Sequence, residues 1–186
     1  MATLPKREAF PVERARRYLE PGPIVLVSSR WSGHDNIMTL GWHTVMEFSP
    51  SLIGCMIAGG NHSFEMIRRS GECVLNVPTT RLTDAVVKIG NTSGADLDKF
   101  AECGLTRGTM HGVSAPSIEE CHASFACRLH DDGWVDKYNF FVFEIVDARV
   151  APSPDLPETL HYTGDGVFTL SGKAISRKRW FRPEML

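Results

Sequence analysis

The chain has 186 residues, of which 42% are hydrophobic and 23% charged. That balance suits a single domain with a sizeable core, and it excludes disorder, collagen and low-complexity architectures for the chain as a whole. Lys and Arg number 20 against 22 Asp and Glu, a net charge of −2, so the basic excess of a nucleic-acid-binding protein is missing.

Residues 11–20 (PVERARRYLE) predict a short amphipathic helix opened by Pro11 and ended by Pro21-Gly22-Pro23. A series of β-like runs follows. Residues 24–29 are the first; 36–42 and 43–48 read together as a second, bulged at Gly41. Residues 52–58 are a third, and 72–77 (ECVLNV) a fourth that stops at Pro78. Helices are expected over 63–70, capped by Asn61 or Ser63 and stopped by Gly71, and over 83–89, stopped by Gly90. A further helical turn fits 96–103. Strands return at 121–130, at 139–150 (NFFVFEIVDARV), and more weakly at 159–162 and 167–170. Strands dominate, helices are short, and no βαβ alternation appears, which predicts a β-barrel with peripheral helices.

No repeat or linker divides the chain, so one domain over 1–186 is expected, with a core at about 22–150 and a C-terminal arm at about 151–186. The N-terminus lacks the apolar stretch of a secretory signal, and no run is long enough to cross a bilayer. A cytoplasmic protein with no membrane or nucleic-acid partner is expected. The five cysteines (Cys55, Cys73, Cys103, Cys121, Cys127) are odd in number and widely spaced, which argues for reduced thiols and against a disulfide scaffold.

Several chemistries lack their motifs. No G-x-G-x-x-G follows a strand. Between Gly166 and Gly172 lie five residues, and Ala174 stands where a phosphate-binding loop needs Ser or Thr, so that reading fails. Cys121, His122, Cys127 and His130 match no standard zinc spacing, and no metal is expected. No G-x-S-x-G elbow is present. Lys173, Arg177, Lys178, Arg179 and Arg182 make a basic cluster near the C-terminus, read as a solvated tail or as a contact for phosphate or a partner protein.

Residues 36–80 carry the chemistry. The strand 52–58 runs through Gly59-Gly60 into Asn61-His62-Ser63 and a helix. Glycines permit close approach of backbone to ligand, and a helix start offers free N–H groups and the positive end of a dipole. Ser63 adds a hydroxyl and Asn61 an amide, so a phosphate is a natural guest; simple helix capping is the alternative.

The runs N-I-M-T-L-G-W-H-T (36–44), S-P-S-L-I-G-C (49–55), S-G-E-C-V-L-N-V-P-T (70–79), S-G-A-D-L-D-K-F (93–100) and A-P-S-I-E-E-C (115–121) resemble the flavoredoxin branch of the flavin reductase-like family. The resemblance covers about residues 22–150. It implies an FMN-binding split β-barrel with short peripheral helices, usually a homodimer with flavin near the subunit interface.

On this chain the resemblance places Thr39, Gly41, Trp42 and His43 along the flavin ring, with Met38 beside them in a position that also suits a core filler. Cys55, Ile57 and Ala58 would edge the flavin. Asn61, His62 and Ser63 would hold the ribityl phosphate, with Ser93 and Lys99 as further candidates. Asn61, His62 and Ala95 stand where relatives carry cations, which leaves Lys99 or Arg68 to supply the charge. The implied activity is hydride transfer from NAD(P)H to bound FMN, with FAD less favoured. The rivals are an electron carrier serving a redox protein and a non-catalytic flavin- or haem-binding module. A micromolar flavin requires about −8 kcal/mol, whereas one hydrogen bond to a charged group contributes about 1.5–3. Several donors and burial of the ring are therefore needed together.

Overall fold

The computed structural model describes residues 6–15 and 22–182. The helix expected over 11–20 is represented by a 3₁₀ turn, Val12–Arg14, and its C-terminal half lies outside the described residues.

In chain order, β1 is Glu8–Ala9, β2 Val25–Trp31, β3 His34–Leu40, β4 His43–Glu47 and β5 Leu52–Met56. Helix α1 is His62–Ser70, followed by β6 Glu72–Val77 and then α2 Thr83–Gly90 and α3 Lys99–Glu102. The second half holds β7 Arg107–Gly108, β8 Ser117–Ile118, β9 Ala123–Asp131, α4 Val135–Tyr138 and β10 Phe140–Val150. A hairpin of β11 Leu160–Gly164 and β12 Val167–Leu170 precedes the arm.

The main sheet is antiparallel, in the order β3-β2-β6-β9-β10-β5-β4, with β1 added to β10. Its two edge strands, β3 and β4, are consecutive in the chain and joined only by Gly41-Trp42. Edges joined by two residues must approach each other at that end, so the sheet curls into a barrel. This corrects the reading of 36–48 as one bulged strand: β3 pairs with β2 and β4 with β5, at opposite ends of the strand order.

Alternation along the strands sorts the apolar residues into two layers. Val25, Val27, Met38, Leu40, Cys55, Leu75, Phe125, Cys127, Phe141 and Phe143 share the barrel interior, and α1 contributes Phe64 and Ile67 to it. On the other face of β2 and β3, Leu26 and Ile37 pack against Val86 and Ile89 of α2 and Phe100 of α3. Being covered on both sides, the first half of β2, Val25-Leu26-Val27, reads as a continuous apolar run rather than an alternating one. Cys55, Cys73, Cys121 and Cys127 are buried free thiols, and Cys103 is half-buried and free. Burial pushes the Cys55 thiol up, and a hydrogen bond with Cys127, together with burial, does the same for Cys73. Both therefore stay protonated and pack as small hydrophobes.

Candidate functional site

Helix α1 starts where β5 leaves the barrel. Asn61 is its N-cap, and its side-chain oxygen accepts from the Ser63 N–H at 3.0 Å. Asn61's NH₂ has no partner among the described residues, which leaves it available to a ligand. Gly71 closes the helix in the left-handed conformation (φ 68°) that glycine adopts without strain.

Against this helix start lies a polar cavity of about 180 Å³. Met38 and Thr39 of β3 form one wall, Gly60, Asn61 and His62 a second, and Gly90, Ser93, Gly94 and Lys99 a third; among the described residues no carboxylate lines it. Lys99 follows Asp98, whose carboxylate caps α3 by accepting from the Phe100 N–H at 3.0 Å. The Lys99 side chain is 5% exposed, and its Nζ donates to the Ile89 carbonyl at 2.8 Å, at the negative end of α2. That is one acceptor for three ammonium protons. Burial holds the Lys99 pKa below the ordinary lysine value. A cation desolvated at the wall of a cavity without carboxylates is a ready partner for an anion.

The neighbouring hydroxyls are already oriented. Ser93 Oγ accepts from the Ala95 N–H at 3.2 Å, so its own proton is free to donate. Thr39 Oγ1 donates to the Val86 carbonyl at 2.8 Å, which ties β3 to α2. Ser63 is fully buried, and its Oγ accepts from Asn36 Nδ2 at 2.8 Å. Asn36 is itself buried, and its Oδ1 has no partner among the described residues. Gly94 sits directly over it: a Cβ built there would overlap the Asn36 amide.

The structure therefore brings Met38, Thr39, Asn61, His62, Ser93 and Lys99 to one cavity, with Ser63 just behind the wall. Arg68 does not join them; its guanidinium pairs with Asp136 at 2.8 Å, so Lys99 is the cation at this cavity. The other sequence candidates lie elsewhere. Gly41 and Trp42 form the exposed link between the sheet edges, with Trp42 71% exposed. His43 lines a separate cavity of about 350 Å³ together with Gly22 and the 44–48 stretch. Its Nε2 bonds the Pro23 carbonyl at 2.7 Å and so carries the proton, while Nδ1 is buried with no partner among the described residues. Burial holds its pKa below the usual value, against the Pro23 carbonyl. Cys55 and Ile57 are fully buried in the barrel. The Met56 and Ile57 N–H groups are already spent on the Trp42 and Asn139 carbonyls at 2.9 Å, and Ala58 is exposed. Asn36 and Gly94 are the parts of the site that sequence reasoning did not single out. The one available signal was an asparagine directly before the apolar pair Ile37-Met38 of a strand.

The chain matches the flavin reductase like domain over residues 16–171. It belongs to the flavin reductase-like family. An uncharacterised protein of Archaeoglobus fulgidus is 36% identical over 126 residues, 65% of this chain and 71% of that protein. The uncharacterised protein YddH of Escherichia coli is 32% identical over 185 residues, covering 90% of this chain and 97% of YddH. Among solved structures, the FMN-binding domain of a flavin reductases-like enzyme from Shewanella baltica superposes with a TM-score of 0.88 at 27% identity, covering 95% of this chain and all of that one. Flavoredoxin of Desulfovibrio vulgaris shares the fold with a TM-score of 0.77 at 22% identity, over 84% of this chain and 90% of that one. The fold is thus the split barrel of flavin reductase-like proteins. In family terms, the cavity at the α1 start lies within the segment from which the sequence resemblance was drawn.

Proposed function

We propose that this flavin reductase-like protein binds FMN with the phosphate in the cavity between α1 and Lys99, and takes hydride from NAD(P)H. The observation that carries the reading is the Lys99 ammonium, buried at a cavity that no carboxylate of the described residues lines and that the start of a helix faces. The residues fit a phosphate monoester: Lys99 supplies charge, while Ser93 and Asn61 supply donors with no other commitment. The flavin, when bound, supplies the hydride-accepting chemistry. The chain's own residues bind and orient it. As an edge strand, β3 presents every second N–H away from β2, which suits the polar rim of a flat ring.

A homodimer is part of this reading. Met46, Trp134 and Tyr138 are exposed, and Met46 and Phe140 both lie over Gly54, so β4, β5 and β10 share an apolar outer face. Free thiols suit a reducing, cytoplasmic setting.

The test is a visible spectrum of the purified protein before and after FMN addition and desalting, followed by NADH or NADPH in the same cuvette. Retained flavin bands that bleach within seconds are expected. Flavin bands that persist for many minutes with either nicotinamide would replace the reductase reading with that of an electron carrier. A protein that stays colourless would end both.

A further inference from the structure

A second, larger cavity of about 680 Å³ adjoins the first; His62 and Gly94 line both. Its floor is the tip of the β2–β3 hairpin. Ser32 (φ 51°) and Gly33 (φ 80°) form a tight two-residue turn, which sets Trp31 opposite His34 on the last rung. Trp31 lines this groove and is 43% exposed, and its ring N–H has no partner among the described residues. Met66 and Leu97 give it apolar neighbours.

The charge reverses between the two cavities. The first holds Lys99 and no acid; the groove holds Asp35, Asp96 and Asp98 against Arg107. Arg107 is held by two of the carboxylates: its Nε bonds Asp35 at 2.8 Å, its Nη2 bonds Asp98 at 2.8 and 2.9 Å, and its guanidinium lies 4.3 Å from the Phe100 ring centre. Asp35 is also gripped by Arg30 at 2.6 and 3.0 Å. Asp96 alone among the three has no ion pair. Among the described residues the groove therefore offers an exposed aromatic face, a carboxylate outside any ion pair, and three carboxylates to one guanidinium. A phosphate placed beside Asp96 is disfavoured by the excess of carboxylates, whereas a flat base and a sugar diol, whose hydroxyls donate to a carboxylate, fit there.

We infer that this groove seats the adenosine end of a dinucleotide whose 2′-hydroxyl is free, with the base on Trp31 and the ribose diol on Asp96. The inference rests on the phosphate assignment above, because the groove continues from that cavity. Two molecules carry this adenosine: NADH, lying along bound FMN, and FAD, extending from the phosphate cavity. NADPH, with its 2′-phosphate, is the form the carboxylates turn away.

The experiment uses the FMN-loaded protein, and flavin retention establishes the phosphate site first. Calorimetric titration with 5′-AMP and with adenosine 2′,5′-bisphosphate follows, on wild type, Trp31→Ala and Asp96→Lys. The expected result is 5′-AMP binding at least ten-fold tighter than the bisphosphate, weakened at least five-fold by Trp31→Ala, with the preference narrowed or reversed by Asp96→Lys. Thermal melts of the variants check that they fold. If 5′-AMP competes with NADH in bleaching, NADH is the source of the adenosine. If FAD displaces FMN and abolishes the 5′-AMP signal, FAD is the source. Flavin-loaded protein that binds neither nucleotide, or binds both equally and ignores the two substitutions, overturns the groove assignment while leaving the phosphate site standing. Loss of flavin itself on Trp31→Ala also overturns it, by placing the flavin ring in the groove.

Discussion

The Asn36 amide donates to Ser63 Oγ at 2.8 Å, joining the middle of β3 to the first turn of α1 beneath the polar cavity. Both side chains are buried, and Asn36 Oδ1 lies against Gly94, whose missing Cβ lets the 93–95 segment close over it. Asn36 is thus a strut between two walls of the proposed phosphate site. Removing it frees Ser63 and leaves a hydroxyl unsatisfied, at a cost of about 1–3 kcal/mol locally. Asn36→Ala is expected to weaken FMN about ten-fold while riboflavin, which lacks the phosphate, changes less than two-fold. Fluorescence titration of the two flavins measures this. Equal losses for both would show that Asn36 supports the fold in general and not the phosphate wall.

Lys99 trades stability for binding. Its folded-state pKa lies below the ordinary value because burial disfavours the ammonium. Between that lowered pKa and the unfolded value of about 10.4, the unfolded chain binds the extra proton, so stability rises with pH across that window. Below the window the protein bears the full cost of burying the charge. Lys99→Met keeps the length of the side chain and removes that cost. The flavin-free variant is expected to melt a few degrees higher, since about 1 kcal/mol corresponds to roughly 2–4 °C for a chain of this size. FMN binding is expected to weaken at least ten-fold, and wild-type affinity to fall as pH is raised from 7 toward 10, while the variant stays flat. Calorimetric melts and flavin titrations at several pH values check both halves.

The barrel was legible because its strands carry β-branched and aromatic runs punctuated by Gly and Pro; β5, β6, β9 and β10 fall within a few residues of their expected bounds. Helix α1 was legible from Asn61 and Gly71, which cap it as read. The break between β3 and β4 was not, because local propensity at Leu40-Gly41-Trp42-His43 looks extended throughout; only the pairing partners reveal that the sheet ends there. The short strands β7 and β8 and the four-residue α4 carry too little sequence to stand out. For the site, the resemblance marked Asn61, His62, Ser93 and Lys99 as candidates, but that they face one cavity depends on α2 and α3 packing against β3 through Thr39, Ile89 and Phe100. The single-residue roles of Asn36 and Gly94 are tertiary facts that a strand pattern does not encode.

His43 ties the sheet-edge link to the segment before β2. In the neutral form its Nε2–H donates to the Pro23 carbonyl, and the buried Nδ1 has no partner for a second proton. Burial lowers its folded pKa, so as pH falls below the unfolded value of about 6.5 the unfolded chain takes up the proton first and stability is lost. His122, also held low by burial, adds to the same trend. The melting temperature is expected to drop between pH 7.5 and 5.5, and His43→Gln, which retains a donor near Pro23, to show a smaller drop. An identical drop in the variant would assign the acid sensitivity to other groups.

Gly54 faces neighbours that leave no room for a side chain. A Cβ there would collide with the Phe140 ring and sit 2.9 Å from Met46 Sδ, because the strand pairing places Val142, Thr44 and their neighbours across β5 at this point. The methionine can rotate away, but the phenylalanine is held between Gly54 and the Trp134 ring, whose centre lies 6.5 Å from its own. Gly54→Ala must therefore displace an aromatic side chain from the outer face of β4, β5 and β10, an overpacking cost of about 1–3 kcal/mol. The proposed homodimer uses that same face. The variant is expected to melt about 2–12 °C lower, given the size scaling of unfolding entropy, and to shift toward monomer in sedimentation velocity. Gly54→Ala combined with Phe140→Leu relieves the collision. Recovery of the melting temperature without recovery of the dimer would show that the Phe140 ring itself is part of the subunit contact.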